Sequence, residues 1–221
     1  MVDIPDAERS ALHAMTGHVM RIARGTALPI ASTVATSMFA MIDGFVGEIH
    51  QFRDGRRQIV AIYLPGDTLY LRHAAGRIDP VFPLVALTDC CIATFDARQI
   101  EEECPTIASS LATTEAVRAR TMREWLVDAG RRSALEATAH RICEFHVRQR
   151  LAGLSDGDRI AFPLSQTDLA DALALTIVTV NRTLTALRNE GLIATRRGEI
   201  DVLDPGGLRR LSRFDDGYLL P

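Results

Sequence analysis

One stretch of this 221-residue chain limits its fold more than any other: Phe162 to Ile193, FPLSQTDLADALALTIVTVNRTLTALRNEGLI. Ser165 and Asp168 have the S-x-x-D spacing of a capping box, which starts a helix. Leu169, Ala172 and Leu173 give that helix an apolar face. Leu175 fills a turn, and Thr176 caps a second helix. In the second helix Val180, Leu184 and Leu187 are spaced to pack inward. Gly191 suits a left-handed stop, with Leu192 making the accompanying apolar contact. The opposite face carries Ile177, Val178, Asn181, Arg182 and Thr185, and a face of this kind at a helix start suits the DNA major groove. The plain alternative is a two-helix hairpin inside a helical core, but caps, turn and stop all agree on a helix-turn-helix. Ala174 stands at the turn where glycine is usual. If that position needs positive φ, alanine costs about 1 kcal/mol there.

Charge and composition restrict the partners. The net charge is −3, and all 25 basic residues are arginine. No general basic field advertises nucleic acid, so specific contacts must come from local arginines, which suit bidentate phosphate and guanine recognition. From Ser165 to Arg213 there are seven arginines (182, 188, 196, 197, 209, 210, 213) against six acids (168, 171, 190, 199, 201, 204), a sum of +1 that predicts modest non-specific affinity. No apolar run is long enough to span a bilayer, and MVDIPDAERS reads as neither signal nor transit peptide. The expected location is the cytoplasm, with no membrane partner. There Cys90, Cys91, Cys104 and Cys143 default to reduced thiols. His140 and Cys143, three apart on a predicted helix, are a weak metal pair for want of further ligands.

The rest of the chain divides around a proline. Residues 6 to 16 read as a short helix and about 17 to 104 as β-structure, with short apolar runs punctuated by Gly44, Gly47, Pro65-Gly66 and Pro80. Asp54-Gly55 between Ile49 and Ile59 marks a hairpin, and the strand spacing suggests a small sandwich or barrel. Pro105 opens a long helix to about Ala129. Leu111, Met122, Trp125 and Ala129 fall near one face, interleaved with Ala112, Ala116 and Ala119. This face packs either on its own barrel or on a second copy. After an Arg131-Arg132-Ser133 hinge, Ser133 and Glu136 cap another helix to about Leu151. Residues 194–202 read as a tight hairpin with Arg196 and Arg197 at its tip, a wing suited to phosphates, or else a plain capping hairpin. A helix over Gly207 to Phe214 closes the chain.

A β-rich sensor, a long helix and a winged helix-turn-helix in this order resemble the Crp/Fnr family of bacterial transcription regulators. Besides the stretch from Ser165 to Ile193, the resemblance rests on Asp54-Gly55-Arg56-Arg57-Gln58 and Leu64-Pro65-Gly66-Asp67. It covers nearly the whole chain. It implies an α+β fold: an N-terminal jelly-roll β-barrel over 1–104, a dimerisation helix and hinge over 105–132, and a C-terminal winged helix-turn-helix over 133–221. It implies a homodimer on double-stranded DNA at near-palindromic sites, with RNA polymerase as a further partner the family allows. Leu111, Met122 and Trp125 are then the dimerisation residues. The DNA-contacting set is Ser165, Gln166, Thr176, Ile177, Val178, Thr179, Asn181, Arg182, Thr185, Arg196 and Arg197. Arg182 matches the family arginine that contacts guanine, and Thr179 a phosphate contact. A common family glutamate is missing at Val178. Ile177 or Val178 is therefore expected to touch thymine methyls and Asn181 to read adenine.

The sensor half departs from the family pattern. Cyclic-nucleotide binders carry a Gly-Glu pair and an arginine followed by a small residue. The stretch from Gly66 to Ile78 has no such pair, and Arg77 precedes Ile78. Arg72 and Arg77 remain candidates for an anionic effector, but gating by cyclic AMP is not expected. The family's iron–sulfur branch needs several N-terminal cysteines, and this chain has none there. His50 and His73 are the barrel histidines available to a heme, supported by nothing beyond their type, so no cofactor is expected and any effector is unknown. A competing reading is a ligand or redox sensor that acts through protein partners. Catalysis is not expected: Glu136, His140 and Glu144 recur at helical spacing, which reads as an exposed charged face rather than acid–base machinery.

Overall fold

A computed structural model describes residues 4–15, 18–29, 37–70, 72–73, 76–77, 82–155 and 157–220. The chain divides into two compact units, residues 1–48 with 62–117 and residues 49–61 with 118–220.

The elements run α1 (Asp6–Ala14), β1 (His18–Ile22), β2 (Ser37–Asp43), β3 (Val46–Gln51), β4 (Arg57–Tyr63), β5 (Thr68–Tyr70), β6 (Arg72–His73), β7 (Gly76–Arg77), β8 (Leu84–Ala86), β9 (Cys90–Asp96), α2 (Ala97–Glu103) and α3 (Pro105–Gly130). Four strands pair in the order β1-β9-β2-β5, all antiparallel, with Phe39 opposite Thr94 and Met20 opposite Ile92. A second sheet has the order β4-β3-β8. Alternation selects what is buried: Phe39, Met41, Val46, Ile49, Ile59, Leu84 and Ile92 are all nearly inaccessible to solvent. Gly44 turns the chain between β2 and β3 at φ +81°, where an added Cβ would lie 2.4 Å from the Asp89 carbonyl oxygen. Only glycine satisfies both demands. The Asp54-Gly55 hairpin forms as the sequence predicts, with Gly55 at φ 89°.

Two sequence expectations need correction in this unit. The β-region ends at Asp96, not near 104: Asp96 accepts from the Arg98 N–H at 2.8 Å and caps α2. Leu111 is 5% exposed, packed with Met15, Met38, Ala97, Ile100 and Cys104, so it fills its own unit's core instead of facing a second copy. The start of α3 is also held in a way the local sequence hides. Its N-terminal N–H groups lack a capping side chain, since Cys104 precedes Pro105. The Glu8 carboxylate of α1 takes their place, accepting from the Thr106 and Ile107 N–H groups at 3.1 Å. Burial works against that carboxylate, but these hydrogen bonds outweigh it and hold the Glu8 pKa below the ordinary range.

The other unit contains the second half of α3 and then α4 (Ala134–Leu151), β10 (Arg159–Ala161), α5 (Gln166–Leu173), α6 (Ile177–Asn189), β11 (Ile193–Arg196), β12 (Glu199–Val202), α7 (Pro205–Ser212) and a 3-10 turn (Asp216–Leu219). The sheet order is β10-β12-β11, antiparallel throughout. Ser133 and Glu136 form the full capping box expected for α4. Helix α7 begins two residues earlier than the sequence suggests, because Asp204 caps it and Pro205 takes its first turn. The core joins Ile142 and Phe145 of α4 to Leu169, Leu173, Val180, Leu187, Ile160, Ile200 and Leu208.

A buried ionic cluster ties α3 to α4. Asp128 accepts from Arg132 at 2.7 Å and from Arg141 at 3.0 Å, and Glu144 accepts from Trp125 Nε1 at 2.8 Å and Arg141 at 3.2 Å. The Arg141 guanidinium lies 3.3 Å from the Trp125 ring centroid. His140 is buried beside Asp128 and Glu124 and stacks on Tyr218. The expectation of an exposed Glu136–His140–Glu144 face is therefore wrong for two of the three, since His140 and Glu144 are both 0% exposed. Helical spacing reports a shared face, and here α3 and the chain's end cover it. Trp125, at 8% exposure, is likewise an interior residue.

Candidate nucleic-acid interface

The reading helix is set by three local devices. Ser165 and Asp168 close the capping box of α5 in both directions. Ala174 ends α5 in the left-handed region at φ 55° and ψ 37°, and Leu175 N–H returns to the Ala170 carbonyl at 3.0 Å. Thr176 then caps α6, its hydroxyl accepting from the Thr179 N–H at 3.1 Å. The two hydroxyls of Thr176 and Thr179 lie 2.9 Å apart. Val180, Thr183, Leu184 and Leu187 turn inward, and Thr138 and Thr183 meet at 3.0 Å between α4 and α6. At the far end Gly191 adopts φ 68°, as expected for the stop.

What this leaves outside is the predicted face. Ile177 is 44% and Val178 69% exposed, large apolar groups that no core contact explains. Asn181, Arg182 and Thr185 are exposed beside them, as are Gln166 and Thr176; Ser165 and Thr179 are half-buried. Among the described residues no carboxylate pairs with Arg182. The two acids of α5 share one cation instead: Arg57, in the hairpin of the same compact unit, reaches Asp171 at 2.6 Å and Asp168 at 3.2 Å.

The wing forms where expected, with Arg196 opposite Glu199 and a two-residue Arg197-Gly198 turn between them. Gly198 has φ 76°, the positive value such a turn requires. Both arginines are exposed, but they differ in pairing: Arg196 donates to Asp201 at 2.8 Å, with Arg159 sharing that carboxylate at 2.6 Å, while Arg197 has no partner among the described residues. Sequence reading counted Arg188 but did not single it out; it joins α6 to the wing through Thr195, a contact that no local pattern signals.

The other candidates fall elsewhere. Arg72 and Arg77 pair on the two-stranded ribbon β6-β7, and their side chains lie outside the described residues. The His50 ring meets Phe52 edge-on at 4.5 Å. Cys143 faces Ser212 at 3.8 Å, while His140 sits in the ionic cluster, so the two hold separate positions. Of the expected dimerisation residues only Met122 is exposed, at 50%.

A capped reading helix, an open polar–apolar face and a wing define a winged helix-turn-helix regulator that binds DNA. The profile of the Crp-like helix-turn-helix domain matches residues 136–211. The nitrogen fixation regulation protein FixK of Bradyrhizobium diazoefficiens is 35% identical over 183 residues, covering 81% of this chain and 75% of that protein. The transcriptional activatory protein AadR of Rhodopseudomonas palustris is 30% identical over 217 residues, covering 96% and 86%. The solved structure of FixK2 from Bradyrhizobium japonicum superposes with a TM-score of 0.73 at 23% identity, over 88% of this chain and 96% of that one. The chain belongs to the Crp/Fnr family of transcription regulators. It is a regulator rather than an enzyme.

Proposed function

We propose that this regulator acts as a homodimer on near-palindromic promoter sites, without gating by cyclic AMP. The observation that carries the reading is the exposed Ile177–Val178–Asn181–Arg182 face at the start of a doubly capped helix. Arg182, free of any acid, donates to guanine O6 and N7; Ile177 and Val178 pack on thymine methyls; Asn181 pairs with adenine. Thr179 and the wing arginines meet phosphates. Two such helices from a dimer enter successive major grooves about 34 Å apart.

The dimer contact proposed is a line of exposed residues on α3: Ser109, Ala112, Ala116, Ala119, Met122 and Leu126, with Leu126 74% exposed. Three- and four-residue spacing keeps a seam facing its partner, and small residues let two helices approach closely. Cyclic AMP is not the effector because the segment from Gly66 to Ile78 lacks the Gly-Glu pair and the arginine–small-residue step. Asp67 within it closes a local turn, accepting from the Leu64 N–H at 2.7 Å. RNA polymerase is the proposed downstream partner.

Selection of sites from random duplexes, with purified protein and no added ligand, tests the reading. The expected result is an enriched two-fold symmetric site, lost with Arg182→Ala. Enrichment unchanged by Arg182→Ala would sink it in favour of a sensor acting through proteins. A Val178→Glu variant that selects the same half-site as the wild type would remove the thymine assignment.

A further inference from the structure

Arg188 stands in the last turn of α6, seven residues after Asn181. Seven residues at 3.6 per turn fall about 20° short of two full turns, so Arg188 lies on the reading face, about 10 Å further along the axis. Its guanidinium is a fork. One arm, Nη2, donates to the Thr185 hydroxyl at 2.8 Å; the other, Nη1, donates to the Thr195 hydroxyl at 3.1 Å. Thr185 is on the same face of α6, and Thr195 is on β11, the first strand of the wing. Among the described residues no carboxylate pairs with Arg188, and neither hydroxyl has another partner.

Donor bookkeeping gives this arrangement a direction. Each hydroxyl accepts from the guanidinium through a lone pair, so its own proton is directed elsewhere. The fork therefore presets two O–H donors beside a full positive charge, and its remaining N–H groups are also donors. A fixed cation flanked by two O–H donors, with no carboxylate among the described residues to oppose it, suits an anion. Its acceptors are the one lone pair left on each hydroxyl, and hydroxyls discriminate poorly between bases, so the site carries little base information.

We infer that Arg188, Thr185 and Thr195 form a binding site for one phosphodiester of the DNA backbone, set between the recognition helix and the wing. The inference rests on the DNA-binding reading above and deepens it. Base reading belongs to the first turns of α6; this site anchors the same helix to the backbone two turns later and fixes the wing to it. Arg188 is thus both a contact residue and the group that positions the two threonines.

The test uses the full-length protein and the duplex it selects, with affinity measured across a range of salt concentrations. Arg188→Ala is expected to weaken binding about tenfold and to lower the salt slope by about 0.9 per lost phosphate contact, about 1.8 for a dimer. The selected half-site stays the same. Thr195→Val, which removes one donor and no charge, weakens binding several-fold with the slope intact. Arg188→Lys restores most of the slope. An Arg188→Ala protein with wild-type melting temperature, affinity and slope overturns the site, and so does a loss of affinity with an altered half-site, which would make Arg188 a base reader. A wild type that binds no duplex at any salt concentration overturns the DNA-binding reading itself, and this site with it.

Discussion

Ala174 carries its cost in plain view. It is one of two non-glycine residues among those described with positive φ, at 55°, and the turn between α5 and α6 needs that value. Its Cβ crowds the backbone there, while glycine has none to crowd. Ala174→Gly is expected to raise stability by up to about 1 kcal/mol, part of the relief being offset by the greater freedom of glycine in the unfolded chain. Urea denaturation monitored by circular dichroism measures it; a loss of stability would mean that the alanine methyl contributes packing that the turn geometry does not reveal. Arg141 is the opposite case. Burial pulls its pKa down while Glu144 and Asp128 oppose that pull, and the guanidinium stays charged because its partners surround it. Arg141→Ala leaves Asp128 and Glu144 facing each other's surroundings with one cation fewer. Breaking a buried pair in this way costs about 3–5 kcal/mol, and differential scanning calorimetry on the variant checks the figure.

Among the elements, α3 depends on a residue nearly one hundred positions upstream. The Glu8 carboxylate replaces a missing cap, and its lowered pKa sets the sign of the pH effect. A carboxyl whose folded pKa is depressed contributes stability above its unfolded pKa of about 4.5, and the contribution is lost as pH falls through the lower folded value. Melting temperatures of wild type and Glu8→Gln should therefore differ at about pH 6 and converge towards about pH 3. Parallel curves across that range would remove Glu8 as the cause. This cap was not legible in the sequence, because its partners are distant in the chain and Cys104-Pro105 offers no local signal. The caps at Ser133, Ser165 and Thr176 were legible because donor and acceptor lie within three residues of each other. Long-range cover also explains the misread faces. Leu111, Trp125, His140 and Glu144 all sit at correct helical spacing, but which stripe of α3 or α4 is covered depends on α1, α2 and the final 3-10 turn. The seam that stays open, Ala112, Ala116 and Ala119 with Leu126, is made mostly of residues too small to announce themselves as a hydrophobic stripe.

For the whole molecule, the proposed pairing through α3 is what would turn one reading helix into a site-specific regulator. Leu126→Glu is expected to halve the mass seen in sedimentation velocity and to abolish high-affinity binding to a two-fold site, with the monomer's helix content preserved. A dimer that survives this substitution would place the contact elsewhere on the chain. The near-zero net charge of the DNA-binding half implies that discrimination comes from a few positioned groups and not from a strong general field. Arg57, by engaging both Asp168 and Asp171, halves the negative charge that α5 carries beside the reading helix.

Cys143 offers a clock for the opening of the C-terminal unit. Burial pushes its thiol up to about 11, and its sulfur lies against Ser212, where α4 meets α7. Thiolate is the reactive form, so an alkylating reagent finds almost nothing to attack while those two helices stay together. Each labelling event at this position records one separation of α7 from α4. Followed by mass spectrometry of the peptide at reagent concentrations where the rate no longer rises, labelling measures how often the unit loosens, and whether a DNA duplex slows that breathing.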